Sequence, residues 1–267
     1  MNRCLKSFYY SRLVKYSNYG LQTHEVKITF NFHSNNFLEV RKCYGLDSYI
    51  QRHSFSDMQR IMHIVFDALS SSTGKKMFIP RDGLSSISLC RTIQESNDRI
   101  PCWGYALTLT ECFLSIGIPA RMIRAHSGLP FDHECHCVCV AYCPDLKKDV
   151  LFDVANNVIY YSEKCVPLDL NEFRERIIND KRIIVIQKKT GEKDGLIAYW
   201  LKNLVVFQCF EEERFGNGIN NNGNRIVYLI PERLNLNRNV LLKTNCKRVI
   251  VTRNNGEFWN HQYNCLS

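Results

Sequence analysis

The sequence predicts an α+β fold, and three observations predict it. Residues 101–121 read P-C-W-G-Y-A-L-T-L-T-E-C-F-L-S-I-G-I-P-A-R, with Cys102, Tyr105, Ala106, Leu109, Cys112, Phe113 and Ile116 at i, i+3, i+4, i+7, i+10, i+11 and i+14, the spacing of one helix face. A second helical repeat precedes it, in Met58, Ile61, Met62, Val65, Phe66 and Leu69. Beyond Arg121 the pattern changes to short strand-like runs at 122–125, 133–142 and 148–154, separated by Gly, Pro and Asn. Helices followed by a cluster of strands argue for α+β rather than alternating βαβ units.

Taken in order, residues 1–22 are expected to be a loosely held lead-in. Arg3, Lys6, Arg12 and Lys15 are spread among Phe8, Tyr9, Tyr10 and Tyr16, without the uninterrupted apolar run of a secretory signal. Residues 24–32 alternate apolar and polar positions, as a half-buried strand does. Residues 37–49 suit a short helix ended near Gly45. Ser56 is the expected N-cap of the 58–69 helix, with Asp57 in its first turn. That helix should run out in the polar loop 70–74. Another short helix is expected at 84–91.

Pro101 suits the first turn of the next helix, Gly117 its left-handed end, and Pro119 forbids continuation. Strands at 122–125, 133–142 and 148–154 follow, the last two joined by a polar hairpin at 144–148. A helix is expected at 171–179 and a short strand at 183–187. Residues 196–210 are apolar enough for either state. A turn at 216–224 leads to closing strands at 225–230, 240–242 and 249–252. No linker splits the chain. We divide it into an N-terminal extension (1–36), a core domain (37–210) and a strand-rich C-terminal extension (211–267).

The chain of 267 residues is 45% hydrophobic and 23% charged, an ordinary globular composition. Its net charge of +9 comes from scattered pairs such as Lys75-Lys76, Lys147-Lys148 and Lys188-Lys189. Nothing resembles the basic, aromatic-interleaved stripe of a nucleic-acid binder. An acidic partner or substrate is compatible with the charge. No apolar stretch reaches the length of a membrane span. Thirteen cysteines in a chain this large, with no secretory signal at its start, point to free thiols in the reducing cytoplasm.

The Cys102 thiol falls at the start of an inward-facing helix, where free N–H groups and the helix dipole favour a thiolate. On the 133–142 strand His136 shares a face with Val138 and Val140, while His133, Cys135, Cys137 and Cys139 take the other. A hairpin at 144–148 brings Asp153 beside His136. Nucleophilic thiol catalysis needs these three parts: thiolate, proton-exchanging imidazole and orienting acid.

The remaining polar residues have quieter readings. Trp103 is core packing or an indole donor near the thiol. His126 and His133 are loop or rim residues, His133 with a possible substrate contact. Cys112 is core, and Glu111 a surface or structural-pair carboxylate. Zinc is the rival use of His133, Cys135, His136, Cys137, Cys139 and Cys143. However, same-face thiols on an extended strand stand about 7 Å apart, too far to share one ion.

The runs C-W-G-Y-A and G-I-P-A-R, then H-C-V-C-V-A-Y and L-F-D-V, resemble the transglutaminase-like superfamily, with its papain-like Cys-His-Asp arrangement. K-C-Y-G-L-D-S-Y upstream, and the stretch from E-F-R-E-R-I-I to Y-W-L-K-N-L, resemble bacterial members, so the likeness spans roughly residues 37–210. It implies a cysteine-proteinase core in which a catalytic helix packs on an antiparallel sheet, with Cys102, His136 and Asp153 as the triad. It also implies acyl transfer from an amide through a thioester, without a cofactor. The superfamily holds cross-linkers, proteases, amidases and deglycosylating enzymes, so the substrate is not fixed by the fold. Water is the expected acceptor and a peptide or protein the expected substrate. Amine transfer, a binding-only member and a zinc protein are the alternatives. Cys137 departs from the pattern, standing where a small residue or Trp is frequent. The backbone N–H of Cys102 is the expected first oxyanion donor.

Overall fold

Helix α5 (Cys102–Ser115) is buried on nearly every side, from Gly104 to Ser115 with only Tyr105 partly exposed. The expected single stripe is therefore a full cylinder. An α-helix this apolar all round belongs in a core, and here it lies between strands on one side and three helices on the other. Those helices are α2 (Phe37–Tyr44), α3 (Phe55–Ser70) and α4 (Ser86–Glu95). A Cβ on Gly104 would stand 2.5 Å from Ile100 Cγ2, so the first turn needs glycine at that point. Pro101 is the N-cap, extended at φ −76° and ψ 166°, and the helix begins one residue later than expected, at Cys102 itself.

The computed structural model describes residues 3–21, 26–50, 52–71, 76–77, 84–95, 98–129, 132, 134–187, 193–217, 224–234 and 249–259. Its principal sheet, in strand order along the sheet, comprises β10 (Val249–Thr252), β9 (Ile226–Leu229), β7 (Val206–Phe210), β2 (Ala120–His126), β3 (Cys135–Cys143), β4 (Lys148–Asp153), β5 (Val158–Tyr161) and β6 (Ile184–Gln187). A separate ladder pairs β1 (Thr29–Phe30) with β8 (Glu212–Glu213). The fold is α+β, but the sheet is mixed rather than antiparallel. β10 runs parallel to β9, and residues 230–248 between them are long enough for the crossover that parallel pairing needs. The expected strand 240–242 lies outside the described residues.

The alternation of β3 assigns its side chains to two cores. Cys139 and Ala141 face α5 and its helices. Val138 and Val140 face the second core, which holds Trp200, Phe173 and Phe207. That core is covered by α6 (Leu170–Ile178) and α7 (Lys193–Asn203). The ambiguous run 196–210 is thus both states in succession, the end of α7 and then β7. Asp169 closes a reciprocal capping box with Glu172 at the start of α6.

Three local expectations are corrected. Residues 3–16 form a helix, α1, docked on α6 and α7, not a loose lead-in. Its Val14 is fully buried, and the buried Arg174 of α6 donates to Leu204 O at 3.0 Å and Ser17 Oγ at 3.0 Å. The N-cap of α3 is Ser54, which accepts from Asp57 N at 3.1 Å, two positions before the expected Ser56. Glu111 is nowhere near the surface. It accepts from Ser86 N at 2.7 Å, Ser86 Oγ at 2.6 Å and Gly216 N at 2.9 Å, tying α4 and the 215–217 turn to α5. Burial pushes its carboxyl up to about 7 against those hydrogen bonds. An unanticipated helix, α8 (Asn255–Trp259), sits over Arg121, which donates to Phe258 O at 2.7 Å. Among the described residues no helix is long and apolar enough to cross a membrane.

Candidate active site

The site forms where the sheet is incomplete. β4 pairs with β3 only from Phe152↔Cys139 onward. After Asp153 the chain leaves β4 through a 3-10 turn, Val154–Asn156, and a left-handed Asn157 (φ 52°). Residues 135–138 therefore lack a β4 partner, and the sheet has a notch beside His136. This notch resolves a difficulty of register. His136 has the parity of Val138 and Val140, so its side chain leaves β3 toward the second core, whereas α5 packs on the opposite face. The N-terminus of α5 ends at the notch, and there Cys102 and the His136 ring line one cleft and shift each other's titration. Cys102 Sγ also stands 3.9 Å from Cys135 O.

His136 Nε2 lies 3.0 Å from Asp153 Oδ1. Asp153 is fully buried, and Asn156 Nδ2 donates to both its oxygens at 3.1 and 3.0 Å. Tyr160 donates to its Oδ2 at 2.8 Å, and Trp200 Nε1 donates to the Tyr160 oxygen at 2.7 Å. The Trp200 indole meets the His136 ring edge-on at 4.8 Å. Tyr199 packs on the ring's other flank at 5.3 Å and donates to Cys135 O at 3.1 Å. The imidazole is thus held by an acid, and the acid by two further side chains through three hydrogen bonds.

The electrostatics follow from these contacts. A hydrogen bond from Cys137, then the bond and charge of His136, outweigh burial and hold the Cys102 thiol down at about 4. Burial opposes charge on His136, but the charge and hydrogen bond of Asp153, and then Cys102, raise it to about 10. Burial also opposes charge on Asp153, yet the His136 cation and its donors keep it below the ordinary carboxylate range. Both shifts favour the thiolate and imidazolium forms of the pair, the ionisation that makes a cysteine sulfur reactive.

A cleft of about 850 Å³ opens over Cys102 and His136, with Phe66, Met77, Arg99, Tyr105, Leu196 and Tyr199 among its walls. Trp103 packs, half-buried, against the core around α5. His133 lies outside the described residues. No three His, Cys, Asp or Glu side chains among the described residues are arranged to hold a metal ion, and the described cysteines form no disulfide.

Tyr160, Trp200, Tyr199 and Asn156 went unnoticed in the sequence. Asn156 alone left a signal there, three residues beyond Asp153. Replacing Tyr160 with Phe should strip one donor from Asp153 and orphan the Trp200 N–H, at about 1–3 kcal/mol. The melting temperature should fall by several degrees, on the order of 2–4 °C per kcal/mol for a chain of this size. An unchanged melting temperature would show that the relay is not formed.

No protein-family model, no curated protein and no solved structure matches this chain.

Proposed function

We propose that the protein is a thiol-dependent acyl-transfer enzyme of transglutaminase-like architecture that hydrolyses an amide bond in a peptide or protein. One observation carries this reading: a helix-start thiol shares an open cleft with an imidazole that is hydrogen-bonded to a buried acid. The chain order Cys, His, Asp on helix, strand and adjoining strand supports the architecture.

The Cys102 thiolate attacks the carbonyl carbon, and the oxygen takes the charge. The helix-start N–H of Cys102 is placed to donate to it. The His136 imidazolium gives its proton to the departing amine as the C–N bond breaks, leaving a thioester. Neutral His136 then takes a proton from water as the water attacks. Collapse expels the acid and restores thiolate and imidazolium. Asp153 remains ionised and holds the ring throughout. None of these steps calls on a metal or a cofactor. Water, the default acceptor in an open cleft, is taken over an amine. The free thiols suit a reducing, cytoplasmic setting.

The test uses p-nitrophenyl acetate as acyl donor and a denatured-protein panel as amide substrate, each with and without a primary amine. An acetyl group should appear on Cys102 by mass spectrometry, and protein cleavage should disappear in Cys102→Ala. Incorporation of the amine in place of cleavage would favour transfer over hydrolysis. No acylation of Cys102, or full activity in Cys102→Ala, would end the enzyme reading.

A further inference from the structure

The thiols of β3 do more than fill space. Cys135 and Cys137 have the same parity and face α5, and Arg124 on β2 pairs directly with Cys137. Cys102 Sγ stands 3.9 Å from the Cys135 carbonyl oxygen, and the fully buried Cys137 interacts with both Cys102 and Cys135. The Arg124 guanidinium lies against Cys135 and Cys137, and its buried Nε has no hydrogen-bond partner. The reactive sulfur therefore sits next to a second thiol, itself in contact with a third and with a cation.

We propose that Cys137 is a resolving cysteine: hydrogen peroxide oxidises Cys102, and a reversible Cys102–Cys137 disulfide switches the site off and protects it. The proposal rests on the reading of Cys102 as an activated thiolate. In the first step that thiolate attacks one peroxide oxygen. An S–O bond forms, the O–O bond breaks, and the departing hydroxide takes the His136 proton and leaves as water. In the second step the Cys137 sulfur attacks the sulfur of the Cys102 sulfenic acid. An S–S bond forms, the S–O bond breaks, and the leaving hydroxide departs as water with the Cys137 proton. Two sulfurs are oxidised to a disulfide and one peroxide is reduced to two waters.

The cluster supplies what the second step needs. Resolution requires a thiolate, whereas its interactions with Cys102 and Cys135, and then burial, keep Cys137 protonated. Cys135 is the adjoining base. The hydrogen bond from Cys137, and then the Arg124 charge, outweigh burial and bring it down to about 7. It relays the Cys137 proton to the leaving hydroxide, while Arg124 stabilises the negative sulfur. Oxidation stops at the disulfide because the resolving thiol is already in contact when the sulfenic acid forms.

The experiment treats the reduced full-length protein with hydrogen peroxide, blocks free thiols with N-ethylmaleimide and maps tryptic peptides without reduction. The peptide Ile100–Arg121 should appear linked to Ala125–Lys147, with fragmentation placing the bond between Cys102 and Cys137. Iodoacetamide labelling of Cys102 should be lost with peroxide and recovered with dithiothreitol. In Cys137→Ala and Cys137→Ser, Cys102 should pass on to sulfinic acid, and dithiothreitol should no longer restore labelling. A bond to Cys135 instead, or sulfinic acid on Cys102 in the unsubstituted protein, overturns the proposal. If Cys102 labels readily at acid pH yet never becomes linked, the resolving role alone fails. If it neither labels nor oxidises, the thiolate reading fails with it.

Discussion

Replacing His136 with Ala should move the pH midpoint for iodoacetamide labelling of Cys102 upward. With His136 in place the thiol titrates at about 4, so its labelling rate should stay flat from about pH 5 through neutrality. Without the imidazolium the midpoint should climb, with the value of about 8.5 for an ordinary thiol as its upper limit, because the interaction with Cys137, the largest cause of the lowering, remains. The sign follows from the charge: the cation favours the ionised sulfur, and its loss favours the protonated one.

The size of the rate change is smaller than the thiolate fraction suggests. At pH 5 a thiol of pKa 8.5 is ionised to only about one part in 10³–10⁴, but a more basic sulfur is also more nucleophilic, with a Brønsted slope of about 0.4–0.5. For that limiting pKa the net loss is at least about tenfold at pH 5, vanishes near about pH 6.5, and reverses above it, where the more basic sulfur labels faster. Amide turnover should fall further, by about 10²–10⁴, because general acid catalysis is lost as well. The same labelling profile in the variant and in the unsubstituted protein would dissolve the pairing of sulfur and ring.

Asp153→Ala should be the most destabilising change at the site. It leaves the His136 cation, the Tyr160 hydroxyl and the Asn156 amide facing a buried void. Breaking a buried charge pair by removing one member costs about 3–5 kcal/mol. The pH dependence has a definite direction. His136 is raised from 6.5 to about 10, so its share of the stability is full below about 6.5 and is lost as pH rises through about 10. Asp153 is lowered from 3.8, so its share is present above that value and is lost as pH falls below it. The difference in melting temperature between the unsubstituted protein and Asp153→Ala should therefore be widest between about pH 4 and 6.5 and narrow toward pH 10. A difference that grows with pH would mean that the imidazole is held neutral.

The local elements around the site were legible because short-range physics determines them. Pro101, the apolar run after it and Gly117 bound α5 within one residue. The turn at 144–147 set β3 and β4 side by side, which is what makes Asp153 a neighbour of His136. The expected amphipathic stripe failed on α5 because periodicity reports contrast between faces, and a helix covered on all sides has little. Of the two readings of Glu111, surface and structural partner, the surface one failed. Its partners Ser86 and Gly216 lie 25 and 105 positions away in the chain, so nothing near it announces that a buried carboxylate will be satisfied.

What the sequence determined by itself is the set of reactive parts and the element that carries each. A thiol at a helix start, an imidazole on a strand and an acid on its hairpin partner follow from turn chemistry and strand period. Whether they meet was decided only by tertiary structure. Strand parity sends the imidazole away from α5. Contact exists because β4 ends at Asp153 and leaves a notch beside the first residues of β3, through which sulfur and ring reach each other. The Asp153–Tyr160–Trp200 chain and the contacts among Cys102, Cys135, Cys137 and Arg124 belong to the same class. They depend on rotamers and on where distant elements stop, and hydrophobic periodicity encodes neither.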